Sequence, residues 1–204
     1  MPQGPAARIG DAVMHVPPVL TGGPPAVNVL IGGMPAWKGI PLAMSAGIQA
    51  AQQASEAAIK VAENIAVTTQ ATAVAAAGTP GAPAAVAAAT AARLAAETLK
   101  ASSAAAMSAS IGAAAAGGAS IHACTTPWPI PPHGPGVVID GSPTVLINNM
   151  PACRQFDTIV EAIGPPNKIM VGCMTVMIGN SGMGGAQGAA LGAAAASGAA
   201  CVDT

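Results

Sequence analysis

The stretch IHACTTPWPIPPHGPGVVIDGSPTVLINNMPACR, residues 121–154, decides the fold. It holds two of the three histidines and two of the four cysteines of the chain, within a proline-rich segment. It ends in a β-branched run that is followed by a turn signal at Asn148-Asn149, a pattern typical of a strand entering a hairpin. Parts of this pattern recur before and after it, so we interpret the stretch as the middle unit of an internal repeat.

Three runs carry the repeat: VNVLIGGMPAWKG (27–39), PTVLINNMPACRQFD (143–157) and MTVMIGNSG (174–182). The equivalent valines of the second and third runs, Val145 and Val176, are about 30 residues apart, as expected for one small β unit. Val29 of the first run is much farther from Val145 because a segment of different character intervenes. The sequence therefore predicts three β units with an insert between the first and the second.

The insert, residues 41–118, is dominated by alanine and other strong helix formers. Gly78-Thr79-Pro80-Gly81 interrupts it near the middle, which predicts a helical hairpin with arms at roughly 43–77 and 84–115. We expect the larger apolar residues to form the seam between the arms: Ile48, Ile59, Ile65, Leu94, Leu99 and Ile111. A solvated hairpin is favoured over a membrane-inserted one, because six charged side chains would each cost about 2.5–3.5 kcal/mol at a bilayer centre.

The composition narrows the classes of function. Charged residues make up 7% of the chain, and the net charge of −1 comes without a basic run, so nucleic-acid binding is not expected. Neither a secretory signal nor a strongly apolar stretch of about 20 residues is visible, so we expect cytoplasmic synthesis and no stable residence in a membrane. The four cysteines are widely spaced, which does not indicate a disulfide framework. Residues 181–204 are rich in glycine and alanine and are predicted to be a flexible tail, in which Cys201 has no assigned role.

A polar residue precedes each repeated strand at a similar distance. His15 lies 14 residues before Val29, His133 lies 12 before Val145, and Glu161 lies 15 before Val176. If a pseudo-threefold axis relates the units, these three side chains lie at equivalent positions near that axis. Because histidine is a common metal ligand, the repeat raises a metal hypothesis.

The motifs PAARIGDAVMH (5–15), VLIGGMPAW (29–37), HGPGVVIDGSPTVLINNMPACR (133–154) and VGCMTVMIG (171–179) resemble the PAAR-repeat proteins. The resemblance covers nearly all of residues 5–39 and 121–180, but neither the insert nor the tail. It implies a mainly β fold, a small conical threefold β-repeat domain with an inserted alanine-rich helical hairpin. The chain departs from the family pattern at Phe156-Asp157, at Glu161, and at the turn PAWKG (35–39).

The resemblance also implies one structural zinc ion, held near the tip by three histidines and one cysteine. His122 and Cys124 are two residues apart and would share one face of a strand. With His15 and His133 they give the predicted ligand set His15, His122, Cys124 and His133, and Glu161 is the substitute if His122 points away. Cys153 and Cys173 lie beside strand signals and are expected to be buried core residues.

These features divide the chain into a first β unit (1–40), the hairpin (41–118), the second and third β units (119–180) and the tail (181–204). By resemblance, the expected function is that of a non-enzymatic tip that caps a trimeric VgrG-like spike of a contractile injection system, such as type VI secretion. It would be cytoplasmic before firing and then injected with the spike. An effector or chaperone is the candidate partner of the hairpin. The alternatives are a metal-dependent hydrolase or effector toxin, and a membrane-active hairpin protein.

Overall fold

The computed structural model describes residues 3–127 and 132–179, so the predicted tail lies outside the described residues. Two long helices and several antiparallel β-sheets form the fold, so the predicted combination of a helical pair with β strands is present. The fold is mixed rather than mainly β, because the two helices of 34 residues each contain more of the described residues than the short strands do. The strands are β1 (Gly4–Ala6), β2 (Gly22–Gly23), β3 (Ala26–Ile31), β4 (Met34–Ala36), β5 (Ile121–Pro127), β6 (Pro132–Val138), β7 (Leu146–Ile147), β8 (Met150–Pro151), β9 (Thr158–Glu161), β10 (Asn167–Lys168) and β11 (Cys173–Ile178). None of the described helices is both long and apolar enough to cross a membrane.

The helical insert forms an antiparallel pair, α1 (Leu42–Ala75) and α2 (Ala82–Ala115), close to the predicted arms. Gly78 has φ of +80°, a conformation that glycine adopts without steric cost, and it interrupts the chain between the helices. Pro83 lies in the first turn of α2, where its missing N–H removes no helical hydrogen bond. The turn chemistry therefore places the reversal where the sequence predicts it.

Small residues form much of the seam between the helices. Buried positions recur about every seven residues, the spacing of a coiled-coil contact. On α1 they include Ile48, Gln52, Ile59, Ala66 and Ala73; on α2 they include Ala89, Ala96, Lys100, Met107 and Ile111. The prediction was wrong for Ile65 and Leu94, which are 53% and 67% exposed, because the narrow seam between closely approaching helices is filled by alanines instead.

Three two-stranded antiparallel units lie together in the β part of the molecule: the hairpins β3–β4 and β7–β8, and the pair β1–β11, whose strands are far apart in the sequence and which we count as the third hairpin. The third hairpin joins the two ends of the described β region, since β1 pairs with β11. The PAARIGD segment that opens the chain thus completes the hairpin of the third predicted unit. Two-residue turns with positive φ close the other two hairpins, at Gly32-Gly33 and at Asn148-Asn149, as expected for tight β-hairpins.

Backbone hydrogen bonds link these hairpins in a closed cycle. The Ala7 N–H donates to the Cys153 carbonyl (2.9 Å), the Cys153 N–H to the Trp37 carbonyl (3.2 Å), and the Trp37 N–H to the Ala7 carbonyl (3.0 Å). A second cycle runs beside it, through the pairs Gln155–Pro5, Gly39–Pro151 and Ile9–Pro35. Each hairpin therefore satisfies its polar backbone groups through both of the others.

Equivalent residues of the three repeated strands have the same burial. Their isoleucines are buried, and the residues that precede them are exposed, as the alternation of a strand requires. The buried set is Ile31, Ile147 and Ile178, and the exposed set is Leu30, Leu146 and Met177. The three hairpins thus share one apolar core and present one apolar residue each at equivalent surface positions.

A five-stranded antiparallel sheet of order β10–β9–β6–β5–β2 lies next to the hairpins. The base of the helical pair covers this sheet, since Ile48 and Ile111 share a core cluster with Val137 and Val160. The ends of the insert meet where the Ser120 N–H donates to the Lys38 carbonyl (2.9 Å). The insert therefore leaves and re-enters the β part at almost the same point.

Candidate metal centre

Four side chains from separate parts of the chain converge beside the five-stranded sheet. They are His15 from the loop between β1 and β2, Cys124 of β5, His133 of β6 and Glu161 of β9. Their donor atoms all lie within 4.8 Å of one another. Cys124, His133 and Glu161 are buried and His15 is partly exposed, so the cluster lies just beneath the surface.

The Glu161 carboxylate is the centre of the cluster. Its Oε2 lies 2.6 Å from His133 Nδ1 and 2.8 Å from His15 Nδ1. The two Nδ1 atoms are 3.2 Å apart. Ligand atoms around a tetrahedral zinc, with bonds of about 2.0–2.3 Å, would lie about 3.3–3.7 Å apart. The four donors are therefore close enough to hold a metal ion after small side-chain adjustments.

Strand register brings these residues together. Cys124 pairs with Gly134, the residue after His133, and Glu161 pairs with Gly136 of the same strand. A Cβ atom at Gly136 would lie 2.9 Å from the Glu161 side chain, so glycine is required there for close approach of the strands. β6 thus lies between β5, which carries Cys124, and β9, which carries Glu161.

Gly164 has a similar role. A Cβ atom at this position would approach the His133 ring to 2.5 Å, and its φ of +92° also favours glycine. The absence of a side chain at Gly164 leaves room for the imidazole. His133 is consequently held in a closely fitted space within the cluster.

Asn167 organises two of the cluster residues. Its side-chain N–H donates to Glu161 Oε1 (2.8 Å), and its oxygen accepts hydrogen bonds from the backbone N–H groups of Met14 (2.9 Å) and His15 (3.3 Å). Asn167 is fully buried. It therefore fixes the carboxylate and the His15 backbone relative to each other, as residues around metal ligands commonly do. Sequence reasoning did not identify it, since the residue stands outside the repeated motifs.

The environment of Cys124 affects its use as a ligand. Burial raises the pKa of its thiol, hydrogen bonding to Thr126 lowers the pKa, and the Glu161 charge raises it. Burial disfavours the charged thiolate, and the positive charge of a bound metal ion would stabilise it. Metal binding at Cys124 would therefore release a proton.

His122 lies beside the cluster rather than within it. It is fully buried on the same face of β5 as Cys124, but the group with mutual distances below 4.8 Å does not include it. Its Nδ1 accepts a hydrogen bond from the Thr21 N–H (3.4 Å), while its Nε2 is buried with no hydrogen-bond partner among the described residues. Burial lowers the pKa of His122, and the Glu161 charge partly opposes this shift.

Three of the four predicted ligands, His15, Cys124 and His133, are thus brought together. Glu161, which the sequence suggested as the substitute for His122, completes the group. The expected core cysteines Cys153 and Cys173 are buried away from the cluster, in separate apolar layers. Comparison of the chain with family models, with curated proteins and with solved structures finds no match.

Proposed function

We propose that this protein is a non-enzymatic tip that caps a trimeric VgrG-like spike of a contractile injection system, such as type VI secretion. The observation that carries the proposal is the closed cycle of three hairpins, each linked to the other two by backbone hydrogen bonds. A single chain with three equivalent faces can match the three subunits of a trimer. The PAAR-repeat resemblance of the motifs at residues 5–15, 29–37, 133–154 and 171–179 supports the same function and a conical threefold β-repeat fold.

The docking face is formed by the exposed apolar residues of the hairpins. Leu30, Leu146 and Met177 are 60%, 56% and 48% exposed at equivalent positions. Val27 and Met174 extend the apolar surface on two of the hairpins. Within the described residues β3, β7 and β11 each pair on one side only, so a partner strand can also add to their edges.

The metal cluster serves as the pinned apex. His133 lies five residues along β6 from Val138, which packs in the layer that contains Trp37 and Cys153. At about 3.3 Å per strand residue, His133 lies about 16 Å along β6 from Val138, near the other end of the strand. We assign the cluster to a structural zinc ion, because two imidazoles, one thiolate and one carboxylate are all ligands that zinc accepts.

Four protein ligands leave a zinc ion without an open position for a substrate or a water nucleophile, which supports a structural role over a hydrolytic one. A metal at the apex stabilises a region too narrow to enclose a large apolar core.

The helical pair projects from the β part near Lys38 and Ser120. It is the proposed site for an effector or a chaperone, delivered with the spike.

The proposal is tested by co-purification with the trimeric VgrG-like spike proteins of the source organism. We expect one chain per spike trimer, measured by native mass spectrometry. A triple variant with Leu30→Asp, Leu146→Asp and Met177→Asp should lose binding, while Ile65→Asp, on the helical hairpin, should bind normally. A wild-type chain that binds no spike, or that binds with three copies per trimer, would contradict the proposal.

A further inference from the structure

The outer half of the helical hairpin contains no charged residue. All six charged residues of the two helices lie below it: Glu56, Lys60, Glu63, Arg93, Glu97 and Lys100. Residues 64–92 form an uncharged tip, which is made of the end of α1, the turn and the start of α2. With a rise of 1.5 Å per helical residue, the tip extends about 20 Å beyond the charged residues. We call the six charged residues below the tip the charged collar.

In the tip, small side chains lie between the helices and larger apolar side chains face outward, the opposite of what is expected for a helix pair in water. Alanines such as Ala66, Ala73 and Ala89 occupy the seam, while Val67 and Val74 are 68% and 66% exposed. In water, the larger apolar residues of a helix face the core. Small residues between helices and larger apolar residues outside are the arrangement found where the surroundings are lipid.

Polar groups of the tip are largely satisfied internally. Four threonine hydroxyls donate to the carbonyl four residues earlier, at 2.8–3.0 Å: Thr68, Thr69, Thr72 and Thr90. In the turn, the N–H groups of Ala76, Ala77, Thr79 and Ala82 donate to nearby carbonyls. Pro80 and Pro83 have no N–H to satisfy. Removing this tip from water therefore leaves unpaired mainly the exposed side-chain amides of Asn64 and Gln70, which limits the main cost of entering a bilayer.

We propose that the tip, residues 64–92, inserts reversibly into a lipid bilayer from one side without spanning it. The depth of about 20 Å exceeds one half of a hydrocarbon core of about 30 Å but does not reach across it. The collar carries three acidic and three basic side chains, and Lys100 Nζ pairs with Glu63 at 2.8 Å. This mixed charge complements the phosphate and ammonium groups of lipid headgroups. The charge cost that disfavours insertion of the whole hairpin does not apply, because the charged residues stay at the headgroup level.

The inference goes beyond the spike-tip proposal and does not depend on it. The test is flotation of the full-length protein with vesicles of phosphatidylcholine and phosphatidylglycerol. We expect the wild type to float, and Val74→Asp to reduce the bound fraction at least tenfold. The matched control is Ala54→Asp, an exposed position on α1 below the collar, which should float as the wild type does. Circular dichroism establishes that both variants keep their helices.

Depth is measured with Val74→Trp and lipids brominated along the acyl chain. We expect tryptophan fluorescence to be quenched by the bromine atoms beyond the quenching of the wild-type background. Wild-type protein that stays with the unbound fraction would overturn the proposal, as would equal loss of flotation in Ala54→Asp. An unquenched tryptophan at position 74 would also overturn it, because the tip would then lie outside the acyl chains. Spike co-purification is unaffected by any of these outcomes, so the two proposals fail independently.

Discussion

Glu161 is the residue on which the candidate metal centre depends. Its carboxylate touches both imidazoles, and Asn167 holds it in place. His122 is the competing ligand, since its buried Nε2 lacks a hydrogen-bond partner among the described residues. The two candidates can be separated because neutral glutamine can replace either side chain without a large change in volume.

We predict about one zinc ion per chain in protein purified without chelator, measured by elemental analysis. Glu161→Gln and Cys124→Ser should lower the zinc content and the melting temperature, whereas His122→Gln should leave the zinc content unchanged. A metal at about 100 times its dissociation constant contributes about 2.7 kcal/mol to the free energy of unfolding. Loss of zinc in His122→Gln with retention in Glu161→Gln would instead support the ligand set that includes His122.

Two arginines, the partly exposed Arg8 and the buried Arg154, each bind the aspartate three residues later. Arg8 contacts Asp11 at 2.8 Å and Arg154 contacts Asp157 at 3.1 Å, and each arginine N–H on the backbone donates to the same carboxylate. Burial raises the pKa of Asp157 to about 7, although Arg154 lowers it. The folded protein therefore keeps a proton on Asp157 at a pH where the unfolded chain, with a pKa of about 3.9, has lost it.

The contribution of Asp157 to the free energy of unfolding should accordingly fall as the pH rises from about 4 to about 7. We expect Asp157→Asn to remove this decrease from the pH dependence of the free energy of unfolding. The difference in the free energy of unfolding between wild type and variant should therefore shrink with rising pH. Chemical denaturation at several pH values measures it. Asp11→Asn removes the equivalent ion pair and serves as the control. A wild-type to Asp157→Asn difference that grows with pH would show that the aspartate is ionised throughout.

Lys38 occupies the equivalent position in the remaining repeat, but Pro41 replaces the aspartate. Lys38 is 4% exposed, and burial lowers the pKa of its ammonium group. No carboxylate lies within 4 Å of its Nζ in residues 3–127 and 132–179. The first helix of the insert begins directly after this position, at Leu42.

A lone buried ammonium is costly, whereas breaking a buried ion pair leaves its partner uncompensated. We therefore predict that Lys38→Met leaves the free energy of unfolding unchanged or raises it. Arg154→Met should lower it by about 1–3 kcal/mol, because it leaves the buried Asp157 carboxyl and the Asp140 carbonyl without their hydrogen-bond donor. Equilibrium denaturation of both variants at pH 7 gives the comparison. Equal losses would indicate that Lys38 has a stabilising interaction comparable to that of Arg154.

Three residues of the candidate cluster were predictable, because spacing in the repeat and strand alternation pick out His15, Cys124 and His133. Neither rule could choose between His122 and Glu161, since that choice depends on the tertiary position of β9 relative to β5. Asn167 was missed for the same reason, as its hydrogen bonds join distant loops.

Among the secondary structure elements, the helical pair was predictable from its alanine content and its Gly-Pro turn. Its seam was not, because residue size alone does not say how closely two helices approach. Pairing of β1 with β11 was equally hidden, since it joins the two ends of the described β region and no local turn marks it. Local signals thus predicted elements, and long-range geometry determined their contacts.

The alanine seam gives a prediction for α2. Ala89 is 2% exposed and faces α1, while Ala91 is exposed on the same helix. We expect Ala89→Leu to lower the free energy of unfolding by about 1–3 kcal/mol, because the closely spaced helices have no room for it. Ala91→Leu should change it by less than about 0.5 kcal/mol. Thermal unfolding followed by circular dichroism at 222 nm tests the pair, and equal effects would mean that the helices are farther apart.

At the scale of the whole molecule, the insert consists of two structural parts. Its base shares a core cluster with the five-stranded sheet, through residues such as Ile48, Met107 and Ile111. Its uncharged tip contacts neither the sheet nor the hairpins in any shared core cluster of the described residues. The base therefore belongs to the folding unit of the β part, and the tip is available for another surface.

Replacing residues 64–92 with a short glycine-serine turn tests this division. The variant keeps the base of the hairpin and the Glu63–Lys100 pair. We expect zinc content and spike binding to match the wild type, since both cycles of backbone hydrogen bonds and all four cluster residues remain. Vesicle flotation should be lost, because the uncharged segment is gone. Unfolding or loss of zinc in this variant would show that the tip stabilises the β part, and retained flotation would place the lipid contact elsewhere in the chain.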